Sequence, residues 1–303
     1  MKKFLPIVLA GFLFGLIGIS VKLINNEINP FTLNFFRFLT AFIVLLILSP
    51  LIDSESLKLS KKNVKPSMII GLMFAVTTTL FVYSLSKTTI SNAVLLQSVQ
   101  PFFIMFIAYF SLKEKITKTK IVTLLIALIG IYIINPLTTG NLVGNIVALI
   151  SGLSFSVLTA YMRYEDKKLH HTSTLWYMFF AALFMLPFPI LFGIGELTNN
   201  IYYILMLGGL GTGLAYFFYN MSLEKIEAEV ASLFTMILLP LSSIILGVLI
   251  IKEQLFINTI IGGSILLVSG IYLEIHIKKV RKTKNQAVLK NNKFSFDVDS
   301  NKE

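Results

Sequence analysis

The feature that most restricts this chain is a succession of apolar stretches of about 20 residues, almost free of charge. They fall at about 4–24, 31–52, 66–86, 92–112, 119–137, 142–162, 172–193, 199–220, 228–251 and 256–277. A helix of that length crosses the hydrocarbon core of a bilayer and satisfies its backbone polar groups within one segment. A transmembrane barrel would need alternating strands of about ten residues, and none is evident. The connections NNEINP (25–30) and TTGNL (138–142) leave no room for a folded loop. Only 14% of residues are charged, against about a quarter in soluble domains, and the mean hydropathy is +0.81. The expected fold is all-α and integral to the membrane, with ten transmembrane helices. The start, MKKFLPIVLAGFLFGLIGIS, imitates a signal peptide, but its apolar run is too long and lacks a small-x-small cleavage site. It reads as the first span, left uncleaved.

Basic residues orient these spans. With the N-terminus in the cytoplasm, 22 of the 26 Lys and Arg lie on the inner side. They include Lys58, Lys61, Lys62 and Lys65 after the second span, Lys113, Lys115, Lys118 and Lys120 after the fourth, and Arg163, Lys167 and Lys168 after the sixth. Only Lys22, Lys87 and Lys252 remain outside, and Arg37 lies within a span. Both termini are therefore expected in the cytoplasm, and the protein in the cytoplasmic membrane. Residues 278–303 read as a basic, polar, solvated tail.

The same facts exclude several functions. There is no cysteine, so no disulfide, CxxC pair or thiolate metal site. Three scattered histidines argue against a metal centre, and no cofactor is implied. The net charge of +11 is better read as contact with anionic lipid headgroups than as nucleic-acid binding. HExxH and GxxxxGK[ST] are absent, which speaks against an intramembrane metalloprotease and an ATP-driven pump. GGLGTG (208–213) has no preceding strand and is no dinucleotide loop.

The chain repeats itself. SLSKTTISNAVLLQSVQPFFIMFIAYFSLKEKIT, from Ser84, resembles MSLEKIEAEVASLFTMILLPLSSIILGVLIIKEQLF, from Met221. Pro101 matches Pro240, and thirteen residues later Glu114 matches Glu253. ALIGIYII (127–134) matches LVSGIYLEI (267–275), and Lys22 and Arg163 follow the first span of each half at similar places. Each half, 4–137 and 142–277, holds five apolar stretches, and an odd number inverts the second half relative to the first. Charge agrees: LKEKITKTK follows the first copy, whereas IKEQLFINT has no basic residue after Lys252. Inverted repeats place a substrate site near mid-membrane and permit alternating access.

These residues resemble the EamA family of the drug/metabolite transporter superfamily. The best stretch is GLGTGLAYFFYNMSLEKIEAEVASLFTMILLPLSSIILGVLIIKEQL (209–255); the first half matches again through Arg37 in NFFRFLTAF, Tyr83, Pro101 and Glu114. The resemblance covers nearly all of 4–277. It implies a central cavity lined by helices one to four and six to nine, with helices five and ten outside that ring as a possible homodimer contact. It also implies a secondary carrier of small polar metabolites, often an exporter of amino acids and related compounds. Sugars, nucleotide-sugars and organic cations are the alternative substrates, and a channel is a further alternative. The second half departs from the first: Tyr177 or Met178 stands where Arg37 stands.

Candidate substrate contacts follow from polar groups inside spans. Arg37 is the one basic group well inside a span, where insertion costs roughly 2.5–3.5 kcal/mol. It shares a helix face with Asn34 and Ala41. One reading gives it a substrate carboxylate; the other sets it near the outer headgroups. Thr79 and Tyr83 share a stripe on helix three, Gln97 and Gln100 on helix four, and Thr212, Tyr216, Tyr219 and Asn220 on helix eight; Trp176 and Tyr177 open helix seven. Amides and phenols offer donors and acceptors to a polar ligand, although the same groups also tie helices together. Pro101 and Pro240 are candidate bends. Gly11 with Gly15, and Gly209 with Gly213, are expected packing sites. Every Asp and Glu lies at a helix end, in a connection or in the tail, so coupling is expected to use Glu114, Glu253, Glu274 or the substrate's own charge, and the carrier is otherwise facilitative.

Overall fold

The computed structural model describes residues 4–24, 27–52, 57–88, 93, 96–97, 99–113, 116–134, 142–165, 173–252, 256–258, 260–272 and 275–276. All regular structure among them is helical. The helices are α1 (Leu5–Ile24), α2 (Pro30–Ile52), α3 (Lys61–Lys87), α4 (Gln100–Ser111), α5 (Lys118–Ile134), α6 (Leu142–Glu165), α7 (Thr174–Phe192), α8 (Ile201–Leu223), α9 (Ala228–Leu246, continued by a π turn, Gly247–Ile251) and α10 (Ile260–Tyr272). Seven of these, α1, α2, α3, α6, α7, α8 and α9, are long and apolar enough to cross a membrane; α4 and α10 are shorter apolar helices. The boundaries fall close to the apolar stretches, because the same run of side chains that suits lipid also fixes where the helix can end. α3 begins earlier than expected, since its first two turns take up Lys61, Lys62 and Lys65.

The distribution of side chains is that of a membrane protein. Leu51, Phe110, Ile190 and Tyr202 stand more than 70% exposed, whereas Thr212, Ser222 and Thr174 are fully buried. Aqueous proteins seldom expose so much contiguous apolar surface. The chain is an all-α, multi-pass membrane protein.

Neighbours in space come largely from opposite halves of the sequence. α1 packs on α9 and α8, α3 on α6 and α7, α2 on α7 and α8, and α4 on α6. Small residues set these contacts. A Cβ on Gly15 would lie 2.8 Å from the Ser242 Cβ, and Ser242 Oγ donates to the Gly11 carbonyl at 2.9 Å. A Cβ on Gly213 would stand 3.0 Å from the Ala41 carbonyl oxygen, and one on Gly209 2.8 Å from Val44. The glycine pairs expected to pack helices do so.

One contact occurs twice. Gly71 of α3 lies against the Tyr177 carbonyl and the Phe180 Cβ of α7, at 2.8 and 2.7 Å from an added Cβ. Gly208 of α8 lies against the Arg37 carbonyl and the Thr40 side chain of α2, closer still. A second pair matches as well. The π turns Ala108–Leu112 and Gly247–Ile251 end at Lys113 and Lys252, both at φ 57°, and each lysine N–H donates to the carbonyl five residues back. They are the only non-glycine residues with positive φ among those described.

Cross-links gather at two ends of the bundle. At one end Asn200 Nδ2 donates to Glu27 at 2.6 Å, Thr32 Oγ1 to the Gly193 carbonyl at 3.0 Å, and Thr88 Oγ1 to Asn145 at 2.7 Å. At the other, Lys120 Nζ meets Glu227 at 2.5 Å and Arg163 donates to the Leu223 carbonyl.

Candidate functional site

The site is built where α2 crosses α8. Met206–Leu214 of α8 is π-helical and carries Gly208, Gly209, Gly211 and Gly213. Without side chains on that face, α2 approaches until Thr40 Oγ1 reaches the Ile204 carbonyl at 3.4 Å. The approach delivers Arg37 to Thr212: the guanidinium Nε donates to Thr212 Oγ1 at 2.7 Å. The Thr212 hydroxyl gives its own proton to the Leu207 carbonyl at 2.8 Å, five residues back, the spacing of the wide turn. Its lone pairs therefore face the arginine. Thr212 is fully buried and Arg37 half-buried. The remaining guanidinium edge keeps its donors in the fork geometry that matches a carboxylate.

Beside this pair stands a group of aromatic rings centred on Tyr216. Phe74 of α3 and Phe14 of α1 meet it edge-on at 4.5 and 4.8 Å between centroids. Tyr219 lies at 6.1 Å and Phe155 of α6 at 6.4 Å. Tyr177 of α7 stacks on Phe74 at 5.6 Å, and Phe38 of α2 meets Phe74 at 6.0 Å. Six helices thus converge on two neighbouring rings. Edge-to-face geometry suits the ring quadrupoles and fixes the phenols in place.

Polar groups in this region are not all satisfied internally. Asn220 Nδ2 donates to Thr174 Oγ1 at 2.8 Å and to the Tyr177 hydroxyl, while Asn220 Oδ1 finds no donor among the described residues. Asn34 Nδ2, one turn before Arg37, and Trp176 Nε1 have no acceptor among the described residues. Buried polar atoms are nearly always matched, so such groups mark where a ligand or water would bind.

The structure thus brings together Arg37, Tyr177, Tyr216, Tyr219 and Asn220, with Asn34 one turn away along α2. Trp176 packs edge-on against Phe179 at 6.3 Å. The others serve elsewhere. Thr79 Oγ1 contacts Met185 Sδ at 3.7 Å, and Gln97 Nε2 donates to Ser151 at 3.0 Å. Gln100 offers its backbone carbonyl to Ser156 at 2.8 Å. Tyr83 is 36% exposed, with the Lys87 ammonium 5.5 Å from its ring centre. Pro101 occupies the first turn of α4, where the missing N–H costs nothing, whereas position 240 lies inside α9. Glu114, Glu253 and Glu274 lie outside the described residues. The sequence reading did not join Thr212 to Arg37, nor include Phe14 and Phe74. Their signal is only a threonine among glycines and two plain phenylalanines.

Comparison with known proteins agrees with this architecture. A solved crystal structure matches 92% of this chain and 98% of its own length with a TM-score of 0.79 at 14% identity, a likeness of fold. A chain of Archaeoglobus fulgidus named as an uncharacterized transporter is 26% identical over 91% of this chain and 99% of its own. The uncharacterized transporter YetK of Bacillus subtilis is 28% identical over 88% and 85%. YoaV of the same organism, also named an uncharacterized transporter, is 25% identical over 93% and 99%. The model of the EamA-like transporter family matches twice, at residues 1–135 and again at 142–274. With both halves matched, the chain belongs to the EamA-like transporter family.

Proposed function

We propose that this chain is a secondary carrier of ten spans, built as two inverted five-helix halves, that exports amino acids or related small polar metabolites across the cytoplasmic membrane by alternating access. The observation that carries the substrate reading is the Arg37–Thr212 pair, set beside an aromatic cluster on which helices of both halves converge. A guanidinium fixed by a neutral hydroxyl keeps a donor edge for a carboxylate, and Tyr216, Tyr219 and Asn220 supply polar atoms for the remainder.

The repeated glycine contacts and the paired αL lysines support the two-half reading. So does the sorting of cross-links. With both termini in the cytoplasm, Glu27, Thr32, Thr88, Asn145, Gly193 and Asn200 all fall on the outer side. Lys120, Arg163, Leu223 and Glu227 fall on the inner. Under this reading the two sets of links close the two mouths of the site.

Uptake of labelled L-amino acids into proteoliposomes containing the full chain tests the function. Saturable flux with counterflow is expected, and Arg37→Gln should abolish it. Flux of sugars, nucleotide-sugars or organic cations that ignores Arg37→Gln would displace the amino-acid reading, and non-saturable flux would indicate a channel. Labelling that placed Lys120 and Lys252 on one membrane face would refute the inverted arrangement.

A further inference from the structure

Among the described residues Arg37 has no carboxylate partner. By their place in the sequence, the fifteen Asp and Glu fall at the ends of spans, in connections or in the tail. Among the described residues the hydrogen-bond partner of Arg37 is a hydroxyl, Thr212 Oγ1, and Tyr216 follows Thr212 by one helical turn. Arginine does not deprotonate in proteins, so the positive charge persists whatever the pH. The site thus holds one fixed cation among Phe14, Phe38, Phe74 and Tyr216, with an orphaned amide donor, Asn34 Nδ2, one turn away on the same helix. Both features ask for an acceptor-rich anion.

We propose that the substrate is itself the counter-ion: a small organic acid of net charge −1, and that the carrier is in consequence an exchanger. This rests on the reading of Arg37 as the carboxylate anchor and narrows it. Closing both mouths over an empty site would strand an unpaired guanidinium away from water, which is strongly unfavourable. Closing them over a monoanion buries a neutral pair. The loaded carrier therefore turns over readily and the empty one slowly, so each outward crossing is matched by an inward one. A zwitterion brings no net charge, because its ammonium cancels the carboxylate that meets Arg37, so the occupied site would keep its excess positive charge. The preferred substrates are accordingly acidic amino acids and hydroxy- or keto-acids.

The test uses the full chain in proteoliposomes and two isosteric pairs of ¹⁴C-labelled probes, L-glutamate with L-glutamine and L-lactate with L-alanine. Vesicles are preloaded with the same unlabelled compound or with sodium chloride. Expected is uptake of the anionic member about ten-fold or more faster into preloaded vesicles, with little flux of the neutral member, and an exchange rate indifferent to a potassium diffusion potential. Equal uptake into preloaded and chloride vesicles, equal uptake of both members of a pair, or no preload-stimulated flux with any probe overturns the proposal. If Arg37→Gln abolishes uptake while preloading changes nothing, the exchange inference fails and the anchor stands. If Arg37→Gln transports like the parent protein, the anchor fails with it.

Discussion

The crossing of α2 with α8 and that of α3 with α7 share a backbone contact and differ in chemistry. In both, a glycine of one helix sits against the carbonyl of a residue on the other and against the side chain three positions later: Gly208 with Arg37 and Thr40, Gly71 with Tyr177 and Phe180. The first crossing holds a cation tied to a hydroxyl. The second holds a phenol stacked on Phe74 and bonded to Asn220. The close approach of the backbones is what both crossings require, and the side chain opposite each glycine is free to diverge. Under the proposed function the charged crossing is where a substrate would be held, and the neutral one would supply a wall.

Four sets of substitutions would break or sharpen that comparison. The largest effect is expected from Gly208→Val, whose side chain would collide with Thr40 and the Arg37 carbonyl; it should lower stability by about 3 kcal/mol or more. Gly71→Val should do the same, whereas Gly18→Ala, with nothing within 4 Å, should leave the melting temperature of the purified protein nearly unchanged. If one crossing tolerates valine, the two contacts are not equivalent. Next, Arg37→Gln should cut substrate flux about 100-fold or more, equivalent to about 2.7 kcal/mol, while Tyr177→Phe should alter it only a few-fold. Similar losses in the two variants would erase the chemical distinction. A smaller effect is expected where α5 meets the start of α9. Lys120 is almost buried but Glu227 is about half exposed, so Glu227→Gln should lower stability by only about 1 kcal/mol, read as a denaturant or thermal midpoint. The smallest effects should come from Lys113→Gly and Lys252→Gly. Each relieves a side chain held at φ 57° and should stabilise by about 0.5–1 kcal/mol, and by the same amount at both sites.

The spans were legible in the sequence because lipid demands long apolar runs, and α1, α2, α6 and α7 begin and end within a few residues of the hydropathy limits. The packing glycines were legible too, but not their partners. Gly209 meets Val44 and Gly11 meets α9 through pairings that span much of the chain, and no local pattern encodes them. The same gap explains the site. Arg37 announces itself as a lone charge in an apolar run, yet its partner lies 175 residues away. The stripe of Thr79 and Tyr83 was a fair reading of helical spacing. The fold nevertheless turns Thr79 toward Met185, and Tyr83 to the end of α3 beside Lys87. Helical spacing says which residues share a side and leaves open which neighbour that side meets.

The wide turns of α8 have a history written in residue spacing. Gly71 precedes Ser84 of SLSK by thirteen positions, whereas Gly208 precedes Ser222 of SLEK by fourteen. The extra amino acid falls in an interval that begins inside the π segment Met206–Leu214, and a π turn is how a helix absorbs one surplus residue without breaking. The one-residue difference in spacing thus matches the different winding of α3 and α8. Excising Leu210 would restore ordinary pitch and leave Tyr216, Tyr219 and Asn220 on their present side, because the wide turn already takes up the surplus residue.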